Sequence, residues 1–437
     1  MRHGVLRMAW LAAAVCLAGF ALLWTQALFG EVTGPQSVTG HHDFFAFYSA
    51  ATAIRRQHPN ALYSATAITA TQRTILAAPS GAAGYMPFLN PPYAAVVQSP
   101  LAWFSEPVAR EVWLVLTLAC VAACGVLIAK NLQGRGRCLA VLPLLATFPT
   151  YQTLAEGQWS FVLLLGCLLA HRAADRDHPW RSGVALAVFG LKPPLLMLVL
   201  IWLVVRRSWR IAAGAVLTVA GCVLVTLPWT GLSANAVYGR YLAGVSLSHL
   251  EGAGAIGPTA WQGGIAAMQG LNGLAATLVG QRNPLAGDVL YAGAAAALVA
   301  ALAWRFRPWI RCGQPLHPHE ATRMAIAAAC LGLLLDPHLY PQDCVLAVFP
   351  AMLAMRNATP RVRLGLAVAV GVILDLIAID TVATDPVLVT APHVFTVTAM
   401  ICVLALSLPA TAFRDRRFTR GSPPPDWETP ASDRRAA

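Results

Sequence analysis

Charge is what this 437-residue chain has least of: Asp, Glu, Lys and Arg make up 11% of it, where a soluble globular protein carries about 25%. That scarcity excludes a soluble enzyme. Also absent are a CxxC pair, any Cys/His spacing that would hold a metal, and a glycine-rich loop that would cradle a nucleotide. Of the 10 cysteines, all but Cys312 lie in or beside apolar runs. They read as small residues packing between helices, not as disulfides or ligands. No repeat of convincing period is present, and neither a metal nor a cofactor is expected.

What the chain has in quantity is apolar length. Hydrophobic residues make up 57% of it and the mean hydropathy is +0.60. A helix rises about 1.5 Å per residue and needs about 20 residues to cross a bilayer, so the chain is expected to be all-α and polytopic, with about 10–13 transmembrane helices. Residues 8–29 follow Arg2 and Arg7 and read as a first membrane helix or an uncleaved signal anchor. Further apolar stretches lie at 107–129, 138–153, 159–171, 182–191, 193–205, 211–229, 286–304, 322–335, 343–356, 362–380 and 393–411, several too short to cross alone.

The net charge of +12 would suggest a nucleic-acid partner in a soluble domain. Here topology explains it, and no nucleic acid is expected. With a cytosolic N-terminus, the inner loops and termini take 24 of the 31 Lys and Arg residues, as the positive-inside bias requires. Both termini are then cytoplasmic in a multi-pass inner (plasma) membrane protein. Two long outer segments, 30–106 and 230–285, mix Gly, Pro, Trp and Tyr with apolar residues and read as ordered, membrane-hugging loops. The membrane domain is expected over 1–412. Residues 413–437, basic and proline-rich, read as a disordered cytosolic tail.

Polar clusters at the outer face are where chemistry has a place. Gly40-His41-His42-Asp43 precedes an apolar helical pattern bearing Tyr48, Arg55 and Arg56. A carboxylate at headgroup depth is a useful base once desolvation raises its pKa. The same Asp43 also suits a helix N-cap. Arg55 and Arg56 suit a phosphate, or equally a solvated helix face beside acidic lipids. Asn90-Pro91-Pro92 reads as a rigid turn entering the membrane. Glu156-Gly157-Gln158 breaks an apolar region, where Gln158 offers a sugar a hydrogen bond or satisfies broken backbone.

Lys192-Pro193-Pro194 is sharper, because a lone lysine among about 20 apolar residues is costly unless paired. The prolines end one half-helix and start another, which aims free N–H groups and an ammonium at one point. That favours a phosphate ligand over snorkelling to the headgroups. Asp336-Pro337-His338-Leu339-Tyr340-Pro341-Gln342-Asp343 gathers titratable groups between short apolar runs. Irregular backbone at this depth suits a cavity wall. His338 is suited to a phosphate, and Asp343 to capping the next helix. Together these groups suit transfer from a lipid phosphate.

In this order the motifs resemble glycosyltransferase family 87, of the C-type superfamily that uses polyprenyl-phosphate sugars. The resemblance rests on Asp43-Phe44-Phe45-Ala46-Phe47-Tyr48-Ser49-Ala50-Ala51, Ala61-Leu62-Tyr63, Pro91-Pro92, Gly157-Gln158, Lys192-Pro193-Pro194 and Pro337-His338. It implies Asp43 as catalytic base and Lys192 and His338 as active-site residues. It also implies an inverting transfer, commonly of mannose, without nucleotide sugar or metal. Asn90-Pro91-Pro92 departs from the family's Tyr-Pro-Pro, and Trp261-Gln262-Gly263 stands where the family has Asn-Gln-Ser. Sugar and acceptor identity are open for that reason.

The expectation is a membrane mannosyltransferase-like enzyme facing the periplasm or exterior. Lys192 and His338 would bind donor phosphate, with Arg55 and Arg56 as lesser candidates. Gln158, Tyr48, His42, Asp336, Tyr340 and Gln262 would touch sugar or acceptor. Its partners would be a polyprenyl-phosphate-linked sugar donor, a lipid or glycan acceptor, and membrane lipids. The rival expectations are a secondary transporter or lipid flippase, for which Asp375 within an apolar run is the pointer, and a non-catalytic scaffold, in which Asp43, Lys192 and His338 would not converge.

Overall fold

The computed structural model describes residues 18–30, 42–76, 86–132, 137–247, 268–280, 283–312, 318–356 and 358–378, with a few isolated positions besides. These residues are mostly helical and contain no strand, consistent with an all-α polytopic membrane protein. In chain order the helices are α1 (Ala18–Gly30), α2 (Asp43–Arg55), α3 (Ala65–Leu76), α4 (Pro92–Gln98), α5 (Glu106–Asn131), α6 (Arg137–Leu145), α7 (Phe148–Glu156) and α8 (Ser160–Ala174). There follow α9 (Pro179–Leu186), α10 (Pro193–Val205), α11 (Trp209–Leu247), α12 (Leu271–Ala275), α13 (Pro284–Cys312), α14 (Pro318–Leu335), α15 (Val348–Met355) and α16 (Pro360–Leu376).

Proline sets many of these boundaries. It stands in the first turn of α4, α5, α7, α9, α10 and α16, where its missing N–H costs nothing and its fixed φ suits the helix. The apolar runs are thereby cut into half-helices. Among the described residues three helical stretches are long and apolar enough to cross a membrane singly: Glu106–Asn131, Trp209–Leu242 and Leu285–Trp304. Helices α6 and α7 pass together as a fourth, bent by 58°. Six shorter apolar helices of 10–17 residues do not reach across alone. Residues Val115, Leu217, Leu224 and Val289 on the long helices are exposed, as an exterior facing hydrocarbon requires.

The two long segments expected as outer loops contain helices. Residues 43–55, 65–76 and 92–103 are helical, and α11 runs on past 229 through a break at Gly231 (φ 68°). The stretch 230–285 is thus helical at both ends, with 248–267 outside the described residues. Most of 393–411 and all of the tail from 413 also lie outside the described residues.

Two packed regions position the site. One is aromatic and surrounds α2, with Phe44, Phe47, Tyr63, Phe88, Trp113 and Trp159 buried together. The other is aliphatic and joins α8, α14 and α15 to the 3-10 turn at Pro341–Ala347. Asp375 ties the bundle from α16. Its Oδ1 accepts the Trp24 indole N–H (3.0 Å) and the Phe148 backbone N–H (2.8 Å). A carboxylate at the N-terminus of α7 satisfies an otherwise orphaned donor and favours the helix dipole.

Candidate active site

Three chain breaks meet at this site: the start of α2, the α7–α8 junction and the gap before α10. At the first, His42 holds the N-cap position in an extended conformation (φ −109°, ψ 152°) and makes no side-chain cap bond. Asp43 is therefore the first helical residue and not the cap. Its backbone N–H donates to Glu156 Oε2 at 3.0 Å, and its carboxylate oxygen Oδ2 accepts from Gln158 Nε2 at 2.5 Å. Both partners flank Gly157, which ends α7 with φ 69°. A Cβ on Gly157 would come within 2.7 Å of the Phe44 Cβ. Glycine is required here by conformation and by space. Trp113 Nε1 donates to the Gly157 carbonyl at 2.7 Å and holds the same turn.

Lys192 sits at the N-cap of α10 (φ −128°, ψ 79°), after the 3-10 turn at Ala187–Leu191. Its Nζ lies 2.5 Å from both oxygens of Asp343. Asp343 is fully buried, while the lysine side chain keeps 19% exposure. Ser160 Oγ, at the start of α8, also donates to Asp343, at 2.7 Å. Asn90 Nδ2 donates to the Leu191 carbonyl at 3.0 Å, and Tyr63 OH to the Asn90 carbonyl at 2.7 Å. The Asn-Pro-Pro turn thus braces the backbone that presents Lys192.

The loop 336–340 closes the site. Its backbone is pinned by Asn272 Nδ2 on the Pro337 carbonyl (2.9 Å) and the Gln269 N–H on the Leu339 carbonyl (2.6 Å). Asp336 is buried and accepts the His338 backbone N–H at 3.1 Å. Burial, with the Asp343 charge adding to it, pushes the Asp336 carboxyl up to about 7, against smaller opposing effects from the His338 N–H and Lys192. Asp43 is shifted the same way: burial raises it, Gln158 and Lys192 hold it back, and Asp343 raises it further. Burial and the charges of Asp43, Asp343 and Asp336 raise the Tyr340 hydroxyl. Asp43, Lys192, Asp336, Tyr340 and Asp343 therefore share one electrostatic neighbourhood.

Other sequence candidates have their partners outside this cluster. Arg55 and Arg56 are at the far end of α2, about 18 Å from Asp43 at about 1.5 Å per residue, and Arg55 Nη1 donates to the Ala102 carbonyl. The rise of the helix alone separates them from the cluster. Tyr48 OH donates to the Phe104 carbonyl at 2.7 Å, and the His42 ring faces Glu106 Oε1 at 3.6 Å. Gln262 lies outside the described residues. Sequence reasoning missed Asp343 as the partner of Lys192, and with it Ser160. The signal for Asp343 was available: a lone lysine in an apolar run calls for a carboxylate in another. Among the described residues, no group of three or more His, Cys, Asp or Glu is disposed to hold a metal ion.

The arrangement pairs a carboxylate of raised pKa with an ammonium held by a second carboxylate, a pairing suited to moving a proton beside a developing negative charge. Comparison with known proteins agrees with a transferase. The model of glycosyltransferase family 87 matches residues 88–337, which is 250 of the 437 residues. That span contains Asn90, Gln158, Lys192 and Asp336; Asp43 precedes it and His338 and Asp343 follow it. No curated protein and no solved structure matches the chain.

Proposed function

The chain belongs to glycosyltransferase family 87, and from that premise we propose that it moves a hexose, mannose in the first instance, from a polyprenyl phosphate to an acceptor hydroxyl at the outer membrane face. It is a membrane glycosyltransferase; donor, sugar, side and stereochemistry are the proposal. The observation that carries it is Gln158 fixing Asp43 within electrostatic reach of the Lys192–Asp343 pair.

In this mechanism Asp43 accepts the proton of the acceptor hydroxyl. The freed oxygen attacks the anomeric carbon from the face opposite the phosphate, and the anomeric C–O bond to phosphate breaks with inversion. The leaving polyprenyl phosphate keeps the electron pair, and Lys192 meets its charge. Asp343 orients the ammonium while leaving it able to turn to a second anion. His338 and Tyr340 line the donor side, and Gln158 and Asp336 the sugar side. The excess of Lys and Arg on the opposite loops supports an outer-face site.

The test is transfer by the purified protein in nanodiscs, with radiolabelled polyprenyl-phosphate mannose as donor and a membrane-lipid extract as acceptor. Label is expected in an acceptor product of inverted anomeric configuration. Retained configuration removes the single-displacement mechanism, and transfer from a nucleotide sugar alone removes the polyprenyl-phosphate donor.

A further inference from the structure

A cavity of about 1200 Å³ lies between α8, α9, α10, α14 and α15, away from the chemistry just described. Neither Asp43, Lys192, Asp336 nor Asp343 lines it. Phe189, Leu195 and Leu346, all nearly fully buried, form its wall at the end nearest Lys192. From there it follows α10 to Arg206, the residue that ends the helix. Thirteen helical residues put that mouth about 20 Å from Lys192.

The walls are apolar, with Leu195, Val199 and Leu203 of α10 facing Ala325 and Ala329 of α14. The mouth is charged. Arg356 Nη1 is paired with Asp175 Oδ2 at 3.1 Å, and His171 Nε2 lies 3.5 Å from the same oxygen. That leaves Arg206, half-buried, whose guanidinium makes no hydrogen bond or ion pair among the described residues. Ser208 stands beside it on the cavity lining. A small anion has no use for the apolar wall, and a neutral lipid has no use for the unpaired guanidinium. The volume also exceeds the ~300–1,000 Å³ of ordinary small-molecule pockets.

We infer that this cavity holds one anionic phospholipid, with its phosphate on Arg206 and Ser208 and its acyl chain along α10. The charge complementarity is local: one cation is left over after Asp175 answers Arg356. The occupant fills the space between α10 and α14, so it steadies the helix whose N-cap is Lys192. This site is distinct from the donor phosphate site, because neither Lys192 nor Asp343 lines the cavity.

The test uses the full chain purified in detergent, as wild type, Arg206→Gln and Ala329→Phe. Native mass spectrometry reads co-purified lipid, and each protein is then titrated with phosphatidylglycerol or phosphatidylcholine. Wild type is expected to retain about one phosphatidylglycerol per chain and Arg206→Gln to bind it at least fivefold more weakly, the loss of about 1 kcal/mol that one cation near an anionic headgroup contributes. Ala329→Phe, which fills the wall and leaves the mouth intact, should lose the lipid as well. Phosphatidylcholine, whose phosphate is offset by its own choline, should lose less affinity than phosphatidylglycerol on Arg206→Gln. Equal phosphatidylglycerol binding by wild type and Arg206→Gln overturns the assignment of the headgroup. Retention of polyprenyl phosphate instead, unaffected by Arg206→Gln, overturns the whole proposal and gives the cavity to the donor.

Discussion

Replacing Lys192 by methionine should be among the more destabilising single changes in this chain. It leaves the fully buried Asp343 carboxylate with Ser160 Oγ as its remaining side-chain donor among the described residues, at 2.7 Å. Removing one member of a buried pair costs about 3–5 kcal/mol. The 19% exposure of the lysine side chain admits some solvent to the site and puts the loss near the lower figure, about 3 kcal/mol. The reciprocal Asp343→Asn change is milder, about 1–2 kcal/mol, because the abandoned ammonium can turn toward water. The double variant Lys192→Met/Asp343→Leu removes both charges and should recover much of the sum, with a coupling of about 2 kcal/mol between the sites. The four proteins are compared by denaturant unfolding in one detergent. Additivity within about 0.5 kcal/mol would mean that the two groups do not meet, and the placement of Lys192 would be wrong.

Gln158→Ala removes a hydrogen bond that favours ionised Asp43. The carboxyl pKa therefore rises further, and the acid limb of the transfer rate should move to higher pH; an unmoved limb separates Gln158 from the base. Asp336, held near 7 in the fold against about 3.9 unfolded, binds its proton more tightly when folded. Its contribution to stability is full below about pH 4 and lost as pH rises through 7, on the order of 4 kcal/mol in all. Asp336→Asn should flatten that decline between about pH 4 and 7 in thermal unfolding, and an unchanged slope refutes it. Asp375→Ala leaves the Trp24 and Phe148 N–H groups without their acceptor and should cost about 1–3 kcal/mol; a change within 0.5 kcal/mol would show both groups reach other acceptors.

Much of this was legible in the residues. Low charge and high hydropathy gave the class, and the Lys-Pro-Pro sequence marked a helix break with an ammonium at its N-cap. Residue types alone did not pair that lysine with Asp343, because the two stand 151 positions apart and Asp343 also suits a first helical turn. The bond from Gln158 to Asp43 spans 115 positions and depends on Gly157 adopting a left-handed turn. Tyr48, Arg55 and Arg56 share the helix of Asp43, yet their partners are the Phe104 and Ala102 carbonyls. The rise of α2 carries Arg55 about 18 Å from its start.

The most direct measurement is the transfer rate of Asp43→Asn beside wild type, with polyprenyl-phosphate mannose in nanodiscs and with folding checked by thermal unfolding. Asparagine keeps the size of the side chain and can still bond to Gln158 through its carbonyl oxygen, but it accepts no proton. The account predicts a fall in kcat of about 10²–10⁴-fold, with donor KM and unfolding temperature near those of wild type. Transfer at the wild-type rate would contradict it and leave Asp43 as a residue that only fastens α2 to the α7–α8 turn.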